Sequence, residues 1–346
     1  MTMQHNKSSK NDVICSICIA NYNGMDTLGL CLSSIMNQNC SIQIEIIIHD
    51  DASQDQSVEW IKANYPFVKM IESKENVGFC VSNNRMVDMA TGEYILLLNN
   101  DAELFPDAIQ TLYDHAKKIQ TRAILGLPQY NLLTGQLLDY GYHLDPFLNT
   151  IPNLSPYHTN VASIIGACLW IPKSVWQELG GFPEFFFMLV EDVYLCCYAR
   201  LKEYPVKIIP QSGFKHLIGK SIGGGKLVDE QMVTSMKRRR LSERNKVYAM
   251  IILIPGLLCY LTLFVHFICL VSEGIIVSCY RKNWQIWRSI YWSCIQSTWK
   301  NRKKLFQKRR IVQKNISSSC GHFIKPHSLV PYKLKMLLLY RMPIIK

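Results

Sequence analysis

Residues 13–24 read VICSICIANYNG, a run of eight mostly apolar residues that passes directly into a polar turn ending in glycine. A short apolar run with β-branched residues, bounded by turn residues, is typical of a buried strand. The same succession returns at residues 44–53 (IEIIIHDDAS) and at residues 94–103 (YILLLNNDAE). Amphipathic stretches of helical length separate these runs. The pattern predicts an α/β fold made of βαβ units around a mainly parallel central sheet.

Three parts of the chain differ in character. A polar tail (residues 1–12) precedes the α/β domain (residues 13–235), and an apolar and basic helical region (residues 236–346) follows it. The predicted strands are 13–20, 44–48, 68–71, 94–98, 164–171 and 206–209, and the predicted helices are 25–36, 55–64, 79–90, 107–119, 176–181 and 193–203. Residues 219–232, with four glycines, predict a mobile loop.

Polar residues follow three of the predicted strands. Parallel sheets bind ligands at the carboxyl ends of their strands, so residues 21–24, 49–53 and 99–103 predict the site. Asp50 and Asp51 could accept hydrogen bonds from a ligand, although paired aspartates also form ordinary turns and helix caps. Asp101 could hold a divalent cation against a diphosphate, or it could begin a turn that leads to Pro106.

Two further polar positions lie in the second half of the α/β domain. Glu191 and Asp192 follow a phenylalanine-rich stretch and begin a predicted helix. They could supply favourable charge to the first turn of that helix, or one of them could be a general base whose proton affinity is raised by apolar walls. His216 could be a further metal ligand or a surface histidine.

The C-terminal region predicts membrane association. Residues 247–272 form an apolar run in which His266 is the only acidic or basic residue, which is long enough to cross a membrane. Residues 274–346 carry sixteen Lys or Arg and no Asp or Glu, and residues 237–240 are also basic. Because positive charge prefers the cytoplasmic side, basic flanks on both ends favour a re-entrant hairpin, broken at Pro255, or helices lying in the interface. A buried pair of core helices is the alternative.

Composition excludes several other classes of protein. Thirteen cysteines in 346 residues are too few for a disulfide scaffold, and the pair Cys15 and Cys18 has no partner pair at zinc spacing. The first twelve residues contain no apolar segment of a signal peptide, so we expect a cytoplasmic setting. The net charge of +12 comes without a nucleic-acid-binding motif, so we expect no nucleic-acid partner.

The motifs occur in a recognisable order: ANYNG (20–24), HDDAS (49–53), ENVGFCVSNN (75–84), LLLNNDAEL (96–104), GACLWIPKSVWQELGGFPE (166–184) and VEDVYL (190–195). This order resembles the inverting glycosyltransferases of family 2, and among them the rhamnosyltransferase-like enzymes of bacterial surface-polysaccharide assembly. The resemblance covers residues 13–217. It implies a GT-A fold, with residues 13–122 binding a nucleotide-sugar and residues 123–235 facing the acceptor.

The resemblance also implies a role for each matching residue. Asp192 would be the catalytic base with Glu191 beside it, and Asp101 and His216 would bind Mg²⁺ or Mn²⁺. The implied nucleotide-sugar-binding residues are Ala20, Asn21, Tyr22, Asp50, Asp51, Asn76, Gly78, Asn84, Asn99 and Asn100. The basic, apolar tail would hold the enzyme to anionic lipid at the cytoplasmic face of the membrane, near a lipid-linked or glycan acceptor.

Some positions depart from the family pattern. Asn99 stands where the DxD motif has its first acid, so Asp101 is the only carboxylate of that motif. Met86 replaces a usual glycine, and Pro183 and Tyr194 replace usual aspartates. The donor implied is dTDP-rhamnose or a UDP-hexose. The rival hypotheses are another nucleotide-dependent transferase, for which residues 20–24 offer no basic phosphate-binding residue, and a non-catalytic membrane scaffold with the same fold.

Overall fold

A computed structural model of the chain describes residues 12–217, 219, 224–228, 231–314, 316, 323, 328, 331–340 and 342–345. The strands are β1 (Cys15–Asn21), β2 (Ile44–Asp50), β3 (Lys69–Glu72), β4 (Tyr94–Asn99), β5 (Ala102–Leu104), β6 (Ile124–Gly126), β7 (Gln129–Asn131), β8 (Leu137–Asp139), β9 (Tyr142–Leu144), β10 (Thr150–Pro152), β11 (Cys168–Pro172), β12 (Val206–Ile208), β13 (Phe214–His216), β14 (Gly224–Val228), β15 (Gln231–Thr234) and β16 (Ile344–Ile345).

The helices alternate with the strands in the first half of the chain and dominate the last third. They are α1 (Met25–Met36), α2 (Ser57–Asn64), α3 (Phe79–Met89), α4 (Ala108–Lys118), α5 (Lys173–Leu179), α6 (Glu191–Leu201), α7 (Met236–Leu253), α8 (Leu258–Tyr280), α9 (Trp284–Ile286), α10 (Ser293–Lys314) and α11 (Tyr332–Tyr340). A π-helical segment, Trp287–Trp292, joins α9 to α10, and a 3₁₀ turn covers Glu184–Phe186.

The central sheet has seven strands in the order β12-β6-β11-β4-β1-β2-β3. β1 runs parallel to β2 and β4, β3 runs parallel to β2, and β11 lies antiparallel between β4 and β6. The predicted α/β fold with a mainly parallel sheet is therefore confirmed. Alternate residues of the buried strands serve two cores, since Ile17 and Ile19 face α1, α2 and α4 while Cys18 faces the layer that contains α3, α5 and α6.

A smaller sheet with the order β5-β13-β7-β8 stands beside the carboxyl edge of the central sheet. β5 begins directly after Asp101, and its antiparallel partner β13 places His216 opposite Ala102. β13 also runs parallel to β7, with His216 opposite Asn131. The sequence pattern did not predict this sheet, because its strands are only three residues long and show no apolar period.

Two predicted elements need correction. The strand expected at residues 164–171 occupies Cys168–Pro172, so the apolar residues before it belong to an irregular buried segment. The mobile loop expected at residues 219–232 contains β14 and the start of β15, which pair antiparallel. Their apolar and β-branched residues favour strand pairing despite the neighbouring glycines. The other residues of that stretch, except Gly219, lie outside the described residues.

The apolar run at residues 247–272 divides into two helices of opposite character. α7 ends at Leu253 and α8 begins at Leu258, so the break predicted at Pro255 is confirmed. Every residue of α7 from Asn245 to Leu253 is buried, as the core-helix alternative requires. α8 instead leaves apolar side chains in solvent, and it is long and apolar enough to cross a membrane. Its exposed large apolar residues are Tyr260, Leu261, Phe264, Val265, Ile268, Ile275, Ile276 and Tyr280.

Candidate active site

The first polar cluster lies at the carboxyl ends of β1 and β2, which end level because Asn21 pairs with Asp50. Asn21 is fully buried, and its Nδ2 donates to Asp50 Oδ1 and Ser57 Oγ, each at 2.9 Å. Its Oδ1 accepts from Asn100 Nδ2 at 2.9 Å. Asp50 also accepts from Ser53, from the hydroxyl at 2.6 Å and from the backbone N–H at 2.9 Å. We call Asn21, Asp50, Ser53, Ser57 and Asn100 the Asn21 cluster, and every member is bonded to another.

Asp51 shapes the loop that precedes α3. Its two carboxylate oxygens accept the backbone N–H of Val77 at 2.7 Å and of Gly78 at 2.9 Å. Gly78 has a φ of +88°, and a Cβ there would lie 2.4 Å from the ring of Phe187. Only glycine fits this position, because both the backbone and the space exclude a side chain. Both oxygens of Asp51 are therefore bonded to the protein backbone.

The other predicted nucleotide-binding residues divide into exposed and engaged ones. Tyr22 and Asn76 are exposed, and Ala20 is half-buried. Asn84 points away from them, because its amide group makes two 3.0 Å hydrogen bonds with the backbone N–H and C=O of Phe182. Asn84 thus ties α3 to the turn after α5, and it does not join the cluster.

The second polar cluster surrounds His216. His216 Nε2 lies 3.1 Å from Asp101 Oδ1 and 3.3 Å from Asn99 Nδ2, so the structure brings these three predicted residues together. Asp101 and His216 are almost fully buried. Asn99 Oδ1 is buried and has no hydrogen-bond partner among the described residues, and the one described side-chain contact of Asp101 Oδ1 is His216 Nε2. We call Asn99, Asp101 and His216 the His216 cluster.

Sequence reasoning missed the residues behind His216. Gln129 Nε2 lies 2.9 Å from His216 Nδ1, and Tyr142 donates from its hydroxyl to Asp139 Oδ2 at 2.8 Å. Burial raises the pKa of Asp139 to about 6. Gln129, Asp139 and Tyr142 come from β7, β8 and β9, whose short strands gave no sequence signal.

Glu191 and Asp192 begin α6, as expected, and their carboxyl groups lie in different environments. Asp192 Oδ1 accepts from the backbone N–H of Val193 at 2.7 Å, and Oδ2 accepts from that of Gly166 at 3.2 Å. Glu191 Oε2 is buried without a described hydrogen-bond partner. Burial, reinforced by the charge of Asp192, raises the pKa of Glu191 to about 8. Burial also raises the pKa of Asp192, but these hydrogen bonds oppose the shift. The hydrogen bonds to Asp192 favour its charged form, and the burial of Glu191 favours its neutral form.

Arg238 adds a cation that the sequence analysis had treated only as part of a membrane flank. It lies in the first turn of α7, and its charge acts on Glu191, Asp192 and Tyr142. Burial lowers the pKa of its guanidinium, while the two carboxylates oppose that shift. The carboxylate pair thus faces a positive charge from the C-terminal region.

The backbone just before Glu191 is strained. Phe187, Leu189 and Val190 have φ values of +67°, +71° and +72°. At Phe187 the ψ of −61° and the hydrogen bond from Met188 N–H to the Phe186 carbonyl, 2.8 Å, form a γ-turn of the rare positive-φ kind. Each such residue costs about 1–3 kcal/mol, so neighbouring contacts must hold the segment. We call residues 187–190 the base loop.

The His216 cluster meets the requirements of a divalent cation that also binds phosphate. Mg²⁺ and Mn²⁺ favour oxygen ligands, and at phosphate sites Mg²⁺ needs only one or two carboxylates from the protein. Among the described residues no group of three or more His, Cys, Asp or Glu side chains could hold a metal alone. The unpartnered Asn99 Oδ1 and the carboxylate of Asp101 beside His216 nevertheless fit a cation that takes its other ligands from phosphate and water.

Comparison with known proteins agrees with this geometry. The sequence model of "Glycosyl transferase family 2" matches residues 16–180. Residues 16–180 carry the sequence pattern of glycosyltransferase family 2. It is 37% identical over 100 residues to the uncharacterized glycosyltransferase YibD of Escherichia coli (strain K12), covering 28% of each chain. It is 25% identical over 181 residues to N-acetylglucosaminyl-diphospho-decaprenol L-rhamnosyltransferase of Mycobacterium tuberculosis (strain H37Rv), covering 43% of this chain and 59% of the relative.

Solved structures place this glycosyltransferase domain in the GT-A fold. GalNAc-T7, solved with UDP, GalNAc and Mn²⁺, superposes with a TM-score of 0.56 at 16% identity, over 70% of this chain and 48% of the other. S. aureus TarS 1–349, solved with UDP, superposes with a TM-score of 0.52 at 12% identity, over 88% and 89%. At such identities the likeness concerns the fold. The segments that match the curated relatives named above span less than two thirds of those proteins.

Proposed function

We propose that the protein is an inverting glycosyltransferase, which moves a sugar from a nucleotide-diphosphate-sugar to an acceptor hydroxyl. The observation that carries the proposal is a buried carboxyl pair in which two backbone N–H groups orient Asp192, in the same domain as the Asp101–His216 pair and the unpartnered Asn99 Oδ1. A single displacement at an anomeric carbon needs a base that takes the acceptor proton. It also needs a site that stabilises the negative charge of the leaving diphosphate. The family 2 domain and the transferase names of its relatives support the same conclusion.

In this proposal Asp192 accepts the proton of the acceptor hydroxyl. The acceptor oxygen bonds to the anomeric carbon as the bond from that carbon to the diphosphate breaks on the opposite face, which inverts the configuration. The hydrogen bonds from Val193 and Gly166 hold the carboxylate of Asp192 in a fixed direction. Glu191, which keeps its proton, adds no second negative charge beside the base.

The leaving diphosphate needs compensation of its negative charge. Asp101 and His216 would hold a divalent cation, and Asn99 Oδ1 is placed to bind it directly or through water. When bound, Mg²⁺ or Mn²⁺ would act as a Lewis acid on the diphosphate. Arg238 supplies a permanent positive charge close to the carboxylate pair.

The nucleotide would lie at the Asn21 cluster. Its members are bonded to one another, so they would form a rigid floor for the nucleotide. The exposed Tyr22 and Asn76 would contact the nucleobase. The donor we propose is dTDP-rhamnose or a UDP-hexose. One relative is named a rhamnosyltransferase and the TarS structure holds UDP, so both donors have support.

The acceptor we propose is lipid-linked or a glycan at the cytoplasmic face of the membrane. α8 exposes an apolar face, and Trp284, Trp292 and Trp299 are exposed on the basic helices that follow. Aromatic and basic residues favour the headgroup region of anionic lipid, so α8 would lie in the interface. Phe264→Glu should abolish flotation with vesicles that contain phosphatidylglycerol, whereas Leu133→Glu, on an exposed loop, should not. Equal flotation of both variants would contradict membrane binding through α8.

Calorimetric titration with UDP and with dTDP, each with and without Mn²⁺, tests the donor site. We expect one nucleotide to bind only with the metal, and product analysis with its sugar donor should show inversion at the anomeric carbon. Retention of configuration would contradict the single displacement, and metal-independent binding would contradict the role of the His216 cluster. Asp192→Asn should bind the donor normally and transfer no sugar.

A further inference from the structure

The base loop is held from outside the family 2 domain, by α7. Asn245 is fully buried, and the two hydrogens of its side-chain Nδ2 are shared among three carbonyl oxygens of the preceding segment. The distances are 3.0 Å to Phe186, 2.9 Å to Met188 and 2.8 Å to Leu189. A single amide group therefore satisfies the carbonyls on both sides of the γ-turn at Phe187.

The orientation of this amide is fixed by its neighbour. Arg244 Nε, which can only donate, lies 3.0 Å from Asn245 Oδ1, so the oxygen faces Arg244 and the NH₂ faces the loop. Arg244 also donates to the Phe186 carbonyl at 2.8 Å. The remaining carbonyl of the segment, that of Phe187, accepts the N–H of Cys80 from α3 at 3.0 Å. The carbonyls of residues 186–189 are thus all bonded from outside the loop.

We infer that Asn245 is a positioning residue, which holds the strained base loop so that Asp192 points at the acceptor hydroxyl. This rests on the proposed role of Asp192. Positive φ values at non-glycine residues persist only where surrounding contacts fix them, and Asn245 makes three of those contacts. Asn245 makes these contacts with the loop alone and needs no contact with substrate.

The test compares Asn245→Ala with Asn301→Ala in the full-length protein. Asn301 is a matched control, because its amide also bonds to α7, at the Tyr248 hydroxyl (3.0 Å), but does not contact the base loop. We expect Asn245→Ala to lower kcat at least about tenfold while the calorimetric Kd for the nucleotide changes less than about twofold, since a one-ångström misplacement can cost about a hundredfold in rate. Asn301→Ala should change neither.

A second substitution separates backbone positioning from general packing. Leu189→Gly removes the steric cost of a positive φ, so in the Asn245→Ala background it should restore part of kcat. A packing defect would not be rescued by taking away a further side chain. A kcat of Asn245→Ala within twofold of the wild type, or no rescue by Leu189→Gly, would overturn the inference.

Hydrogen exchange keeps the test independent of turnover. The N–H groups of residues 188–193 should exchange at least about tenfold faster in Asn245→Ala than in the wild type and in Asn301→Ala, because the loop opens locally. Unchanged exchange would overturn the inference even if activity fell. If the wild type transfers no sugar but exchange is faster in Asn245→Ala, the proposed function is wrong. The structural role of Asn245 is then still supported. If Asn245→Ala does not fold, Asn245→Ser, which keeps one donor, takes its place in all three measurements.

Discussion

The two polar clusters at the carboxyl edge of the sheet contain similar residues and differ in how far they are satisfied. In the Asn21 cluster the side chain of Asn21 makes hydrogen bonds with Asp50, Ser57 and Asn100. In the His216 cluster the buried Asn99 Oδ1 lacks any described partner, and Asp101 Oδ1 has a described side-chain contact with His216 Nε2 alone. A buried polar atom without a hydrogen bond is costly, so such atoms are retained where a ligand completes them. We propose that the saturated cluster forms the floor of the nucleotide site and that the unsaturated one binds the cation.

Asp192 and Glu191 of α6 show the same contrast, since Asp192 accepts two hydrogen bonds and Glu191 Oε2 has no described partner. Substituting Asp192 should give the largest loss of activity. Asp192→Asn removes the base, so we expect kcat to fall by about 10³, within the range typical of general bases. Glu191→Gln only replaces a carboxyl that is already protonated at pH 7, so it should keep at least about a tenth of the activity. Initial rates of sugar transfer would decide, and equal losses in both variants would contradict the separate roles.

Within the His216 cluster, Asp101→Asn should lower kcat about a hundredfold and weaken Mn²⁺-dependent nucleotide binding, because the cation loses its only carboxylate ligand from the protein. Glu103→Gln is the control, since Glu103 lies two residues away on β5 and pairs at the surface with Lys215. Calorimetry at several Mn²⁺ concentrations measures the change. Metal dependence that survives in Asp101→Asn would remove the cation from this cluster.

The Asn21 cluster should respond in stability. Asn21→Ala takes one buried hydrogen bond from each of Asp50, Ser57 and Asn100, so the free energy of unfolding should fall by about 2–3 kcal/mol. Asn64→Ala, which removes an exposed amide on α2, should change it by less than about 0.5 kcal/mol. Urea denaturation compares the two. A stable Asn21→Ala variant that failed to bind nucleotide would make Asn21 a ligand contact and would erase the distinction between the clusters.

The pH dependence of stability gives the most specific effect, a slope that is small over any single pH unit. Because the folded protein holds the proton of Glu191 up to a pH of about 8, it binds one proton more than the unfolded chain above pH 4.5. Stability from this group is therefore fully present below pH 4.5 and is lost as the pH rises toward 8, by at most about 1.4 kcal/mol per pH unit. Glu191→Gln should remove this part of the slope. An identical slope in both proteins would show that Glu191 ionises normally.

Local pattern sufficed for the first half of the fold. α1 lies over the predicted residues, Met25–Met36, and β1, β2 and β4 differ from expectation by one or two residues at their ends. Each of these elements carries its own apolar period and turn residues, which is why the sequence predicts them. Asp101 and Asp192 could be placed at element ends for the same reason.

What the sequence could not predict is set by contacts between distant residues. Gln129 reaches His216 across 87 positions, and Asn245 reaches Leu189 across 56. Neither residue follows a strong strand or begins a helix, so no local signal marks it. The left-handed base loop is equally hidden, because phenylalanine, leucine and valine rarely adopt positive φ.

α7 also has a practical consequence for anyone who shortens this chain. A boundary at residue 235 separates the predicted domain from its membrane region, yet Arg238, Arg244 and Asn245 all lie beyond it. α7 is tied onward to α8 and α11, because Lys333 pairs with both Glu243 and Glu273 at 2.8 Å. A water-soluble fragment that ends at residue 235 would keep the Asn21 cluster. It would lose Arg244 and Asn245, which hold the base loop next to Asp192. Such a fragment should bind nucleotide and remain inert, so detergent or lipid around the full chain is the better route to an active preparation.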